Sequence, residues 1–137
     1  MSSLVTQSES TLDDDVVLLT VPADGGYLSV LRTATAGLAA RLQFALDEIE
    51  DLRIAVDEAC AILLAVAARG ADLECRFSVT EDALTVEVTV STVRGAKLPP
   101  EPSFAWQVLR ALTTSTTAAI DGGQASIKLL NRRSAGR

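Results

Sequence analysis

Two runs of strict alternation fix the kind of fold open to this chain. Leu73, Cys75, Phe77 and Val79 are apolar, with Asp72, Glu74, Arg76 and Ser78 between them, and Leu84, Val86, Val88 and Val90 repeat the pattern. A period of two belongs to strands with one buried face and one wet face. Glu81 and Asp82 form the turn between the runs. Strands joined so tightly must be antiparallel. Their apolar side therefore needs a cover that brings its own apolar stripe.

Helices supply that cover. After the turn residues Asp24, Gly25 and Gly26, Leu28, Leu31, Thr35, Leu38 and Leu42 recur at helical steps on one face. A second helix is expected from near Asp47, the expected N-cap with Glu50 as its capping-box partner, to a stop at Gly70. Asp47, Glu48, Glu50 and Asp51 suit the positive end of its dipole. Leu52, Val56, Ala59, Leu63 and Val66 are its buried stripe.

The remaining elements follow from punctuation. Residues 16–21 are an apolar run of strand length closed by Pro22, and 92–103 form a loop containing Pro99, Pro100 and Pro102. A shorter helix is expected over about 103–115, followed by a hairpin of 116–120 and 125–130 turning at Asp121, Gly122 and Gly123. The order is strand, helix, helix, strand, strand, helix, strand, strand. It implies an α/β (α+β) two-layer sandwich with helices on one face of the sheet. Residues 1–14 are expected to be a disordered tail, 15–131 one folded domain, and 132–137 a disordered basic tail.

Composition removes several function classes. A net charge of −6 argues against a nucleic-acid surface, which needs clustered Lys and Arg. The chain has no histidine, which excludes His-based nucleophile triads, phosphohistidine chemistry and most zinc sites. Cys60 and Cys75 lack metal-ligand spacing and are expected to be reduced and buried. The longest apolar run, 59–68, is too short for a bilayer, and a cytoplasmic location is expected.

Two segments carry a family resemblance: Asp51-Leu52-Arg53-Ile54-Ala55-Val56-Asp57-Glu58-Ala59-Cys60 and Ser103-Phe104-Ala105-Trp106-Gln107-Val108-Leu109-Arg110-Ala111-Leu112. In this order and separation they resemble the GHKL-type anti-sigma kinases of the RsbW/SpoIIAB family, over roughly residues 15–131. The resemblance implies a Bergerat-type sandwich with a mixed, mostly antiparallel sheet. It also implies a protein that phosphorylates a serine on an antagonist and sequesters an alternative sigma factor. In such proteins a helix carries Glu-Ala-x-x-Asn, with the Glu as general base and the Asn holding Mg²⁺. Here Glu58 and Ala59 match, but Ile62 stands at the Asn position, and a hydrocarbon offers no oxygen to a hard cation.

The other nucleotide motifs depart too. Ser91, Val93 and Gly95 fall where the family has Asp-x-Gly-x-Gly, whose Asp accepts from the adenine amino group. Ser103, Phe104, Ala105 and Trp106 fall where a Gly-Leu-Gly-Leu helix start cradles phosphates. A hydrogen bond to a charged group contributes about 1.5–3 kcal/mol, and each ~1.4 kcal/mol is tenfold in affinity. The expectation drawn is therefore a degenerate site with no cofactor, no metal and no enzyme activity. Glu58 is then a remnant base, or more simply an exposed carboxylate or ion-pair partner.

On this reading Ile62 and Leu63 fill core. Phe104 and Trp106 either plug the cleft or anchor a protein partner. Arg32 matches a first-helix arginine with which the family contacts both sigma factor and antagonist, against the alternative of a solvated helix arginine. The expected function is an anti-sigma factor of stress or developmental response that binds stoichiometrically and is released by a STAS-type anti-anti-sigma protein. Three alternatives stand beside it: an active serine-protein kinase, a small-ligand sensor that reuses the cleft, and a scaffold unrelated to transcription. A homodimer comes from the resemblance alone, and neither nucleic acid nor membrane is expected as a partner.

Overall fold

The computed structural model describes residues 15–134. The expected tail 1–14 and residues 135–137 lie outside the described residues. Strand β1 (Asp15–Pro22) leads through a 3₁₀ turn (Gly25–Tyr27) into helices α1 (Leu28–Arg41) and α2 (Leu46–Leu64). Strands β2 (Asp72–Val79) and β3 (Ala83–Ser91), helix α3 (Phe104–Leu112) and strands β4 (Ser115–Asp121) and β5 (Gln124–Arg132) follow. The sheet order is β1-β2-β3-β5-β4. All four pairings are antiparallel, so the parallel component of the expected mixed sheet is missing among the described residues.

Register explains the two faces. Phe77 sits opposite Val86, which sits opposite Leu129, and all three are fully buried beneath the helices. One residue along, Arg76 lies opposite Glu87 and Glu87 opposite Lys128, a row of alternating charge on the uncovered face. Such opposite-sign neighbours favour one register over a slipped one. Leu31, Thr35 and Ala39 of α1 and Leu52, Val56, Ala59 and Leu63 of α2 close the core. Thr35 enters it because its hydroxyl donates to the Leu31 carbonyl at 2.7 Å, leaving no buried donor unpaired.

The ends of α2 differ from expectation. Its N-cap is Ala45, and Glu48 reaches back to accept the Ala45 N–H at 2.7 Å. Asp47 instead accepts from the Glu48 N–H, and Glu50 pairs with Arg53 at 3.0 Å. The cause lies upstream, where Gln43 takes a left-handed φ of 64° and the Phe44 N–H returns to Ala39, burying Phe44. The helix therefore begins as soon as that turn closes.

At its other end α2 stops at Leu64 rather than Gly70. Residues 66–68 leave the helix to pair with the end of β3, and Gly70, at φ 75°, serves the turn into β2. Helix α3 likewise ends early, at Leu112, because Thr113 is extended and the Thr114 N–H already bonds Leu130. Gly122 and Gly123, at φ 57° and 79°, make the two-residue turn of the last hairpin.

The expected basic tail is partly structural. Arg132 belongs to β5, and the Arg133 guanidinium donates to the Leu42 carbonyl at 2.9 Å. The Ser134 N–H and hydroxyl both donate to Glu48. The folded unit thus runs past 131 to 134.

Candidate functional site

The expected site residues sit on the C-terminal half of α2, at and just after the end of β3, and at the start of α3. Glu58 and Ile62 are one turn apart on α2 and so share a face. Glu58 is half-buried and makes no ion pair among the described residues, so the ion-pair reading does not hold; its neighbour Asp57 makes the pair instead. Ile62 is only 8% exposed and packs in the hydrophobic core, as does Leu63.

Ser91 is the last residue of β3, with its carbonyl accepting from Ala68 at 2.8 Å. The next residues are held the same way. Thr92 donates to the Gly123 carbonyl at 2.9 Å and Val93 to the Val66 carbonyl at 3.0 Å. The chain here is fixed through main-chain groups, while the side chains of Ser91 and Val93 face outward. Gly95 takes a left-handed φ of 75°, which a glycine adopts without a Cβ penalty.

The proline loop is fastened to α3. The Trp106 indole N–H donates to the Pro99 carbonyl at 2.8 Å, and the Ser103 N–H to the Pro100 carbonyl at 3.0 Å. Arg110 forms an ion pair with Glu101, and the Gln107 amide reaches the Pro102 carbonyl. The two aromatics part company: Trp106 is 3% exposed within the core, whereas Phe104 is 77% exposed. Ser103 is the N-cap of α3, with a shielded hydroxyl that has no hydrogen-bond partner among the described residues, and Ala105 is half-buried beside the core.

A shallow concavity of about 570 Å³ lies at this edge of the sheet, lined by residues 92–96 and 120–123. It gathers Val93 and Gly95 from the expected set; Glu58, Ile62 and residues 103–106 do not line it. Arg32, on α1, stands apart from the nucleotide motifs. Its Nε lies 2.9 Å from Oδ1 of Asp57, and both side chains are about two-fifths exposed, at 38% and 43%. Sequence reasoning missed the contacts of Asp57 and Glu48, since a contact between two helices or with a distant terminus leaves no local spacing to read.

Burial dominates the cysteines. Both thiols are pushed up to about 12 by desolvation, with Cys75 and Asp57 adding to the effect at Cys60. Neither suits nucleophilic work, which needs a thiolate. Among the described residues no group of three or more His, Cys, Asp or Glu is placed to hold a metal. The described helices include none long and apolar enough to cross a membrane.

A five-stranded antiparallel sheet carrying three helices on one face, with an acidic helix beside its open end, defines an ATPase-type sandwich. The chain belongs to the histidine kinase-like ATPase domain family, which matches residues 21–104. It is similar to the serine-protein kinase RsbW of Bacillus subtilis strain 168, at 39% identity over 77 residues, 54% of this chain and 48% of that protein. The same kinase from Bacillus pumilus is 38% identical over 79 residues, 54% of this chain and 49% of its own length. The chain thus spans about half the length of the curated relatives it matches. The crystal structure of the RsbU and RsbW domains of a Mycobacterium tuberculosis protein shares the fold, with a TM-score of 0.70 at 13% identity over 87% of this chain and 32% of that one.

These relatives correct one expectation. Reading the altered motifs as the mark of a non-enzyme conflicts with kinship to named serine-protein kinases, which points to kinase activity. The residues at one position still do not fit the family's magnesium: Ile62 presents a buried hydrocarbon where an oxygen ligand is needed. No step through a metal at Ile62 follows from this geometry.

Proposed function

We propose that this chain is a serine-protein kinase of the partner-switching kind, which binds a sigma-type transcription factor and phosphorylates a serine on a STAS-type antagonist. The observation that carries the reading is the identity of 39% to a serine-protein kinase within a histidine kinase-like ATPase domain. Glu58 is the residue assigned to accept the serine hydroxyl proton. It is half-buried on α2, without an ion-pair partner among the described residues that would hold it away from a substrate. Adenosine triphosphate, when bound, would supply the phosphoryl group. The nucleotide contacts proposed are the main-chain groups of residues 91–95, which border the concavity at the sheet edge, and the N-terminus of α3 with Ser103. The proposed protein-contact residue is Arg32, and two copies of the chain acting together, in the cytoplasm, complete the reading.

The test is phosphate transfer. Purified chain, labelled adenosine triphosphate with divalent cation, and a STAS-type protein from the same source should yield phosphoserine on that protein. Glu58→Ala should lower the rate on the order of 10²–10⁴-fold, the usual span for a general base. Absence of label on the antagonist, in a preparation that binds the nucleotide, would remove the kinase reading. Co-purification with a sigma-type protein tests the binding half separately.

A further inference from the structure

Helix α1 is nearly without charge. Its fourteen residues carry only Arg32 and Arg41, and Arg32 sits mid-helix, flanked by Ser29, Thr33 and Ala36. Helix α2, by contrast, carries Asp47, Glu48, Glu50, Asp51, Asp57 and Glu58. Asp57 reaches across to α1, and Arg32–Asp57 is the one ion pair among the described residues that joins two helices.

The pair is not built for stability. Both side chains are more than a third exposed, and exposed pairs contribute little. The two helices are already joined by buried Leu31, Thr35, Ala39, Leu52 and Val56. The contact is also one-sided. Nε and Oδ1 are shielded from water at 2.9 Å without an aligned hydrogen bond, so charge attraction rather than a directed bond holds them. The outer Nη1 and Nη2 groups make no hydrogen bond among the described residues, and a guanidinium fork of that shape donates two parallel bonds to a carboxylate.

Resting on the reading of Arg32 as a protein contact, we infer that Asp57 is a positioning residue. It grips the inner end of the Arg32 side chain and aims the outer fork at a carboxylate on the partner protein. A single carboxylate fits better than a phosphate dianion, because Asp57 already places negative charge beside the fork. Without Asp57 the arginine would keep its charge but lose its direction, and the partner would have to order it on binding.

Two measurements test this. In the free protein, ¹⁵N relaxation of the Arg32 Nε–H should report an ordered side chain in the wild type and a mobile one in Asp57→Ala, with Asp57→Glu restoring part of the order. Equal mobility in wild type and Asp57→Ala overturns the inference, whatever partners the protein has. With the STAS-type protein as probe, Arg32→Ala should weaken binding measurably, about a hundredfold, and Asp57→Ala about tenfold. The double variant Arg32→Ala/Asp57→Ala should be no weaker than Arg32→Ala alone, the signature of residues acting as a unit. Binding by Asp57→Ala equal to or tighter than wild type overturns positioning in favour of a bystander or a mask. If wild type binds no STAS-type protein, the proposed function fails, and the relaxation result still decides the role of Asp57.

Discussion

The two ends of the helical layer are secured by different means. At the junction of α1 and α2, polar side chains hold the chain: Glu48 takes the Ala45 N–H and both donors of Ser134, and the Arg133 guanidinium caps the Leu42 carbonyl. At the opposite end, where α2 meets residues 91–95, the ties are main chain to main chain: Ala68 to Ser91, Val93 to Val66, Thr92 to Gly123. A junction held by side chains restricts which residues can stand there. One held by backbone leaves side chains free to change. That difference explains how Ser91 and Val93 can depart from a nucleotide motif while the fold around them stays intact.

The strongest way to break the comparison is to fail the ground between the two ends. Cys60 on α2 and Cys75 on β2 lie in the core with thiols pushed up to about 12 from an ordinary 9.0. Above pH 9 the unfolded chain gives up thiol protons that the folded one keeps, so stability is whole below pH 9 and lost between pH 9 and 12. Urea midpoints at pH 8, 9.5 and 11 should fall in that order, and the double variant Cys60→Ala/Cys75→Ala should decline less steeply from its own starting value. A flat profile in the wild type would show that the thiols are not shielded.

Next in size is Trp106→Ala, which empties a core position and frees the loop held through Pro99. Large-to-small aromatic changes in cores cost about 3–5 kcal/mol, and chemical denaturation should show a loss in that range. Glu48→Ala breaks the other end. Losing a carboxylate that accepts several hydrogen bonds should cost about 1.5–3 kcal/mol, and amide exchange should rise at Ala45 and Ser134 before it rises at Ser91. The smallest effect sharpens the contrast: Ser91→Ala and Val93→Ala keep every main-chain tie, so stability should change by less than about 0.5 kcal/mol. A large loss from either would mean that this end is not held by backbone alone.

How much of this was legible depended on whether the signal was local. The β2–β3 hairpin was readable because Phe77 and Val86 each sit in a clean period of two, and Gly122-Gly123 announced the last turn. The start of α2 was not. Ala45 carries no side-chain oxygen to mark a cap, and four neighbouring carboxylates offered equivalent partners, of which Glu48 was chosen by Ser134 from 86 positions away. The early stop at Leu64 was equally hidden, since the Ala68 N–H and the Val66 carbonyl find their partners in Ser91 and Val93, at and just past the end of β3.

The site residues were placed by motif order, and the structure sets Glu58 and Ile62 on α2, Ser91 at the end of β3 and Ser103 at the cap of α3 without gathering them into one cavity. Inferring inactivity from Ile62 and Ser91 went too far. A missing ligand at one position limits what that position can do and leaves the rest of the surface unaccounted for. Arg32 was found by resemblance, but its partner Asp57 could only come from coordinates.

The indole that ties the proline loop to α3 is the only one in the chain. Its fluorescence is therefore a built-in gauge of that attachment, readable without a label: a red shift on detachment, a steady signal while the loop stays seated. Adding nucleotide or a protein partner to unmodified protein and watching the emission maximum would report, within a single titration, whether either ligand lifts the loop.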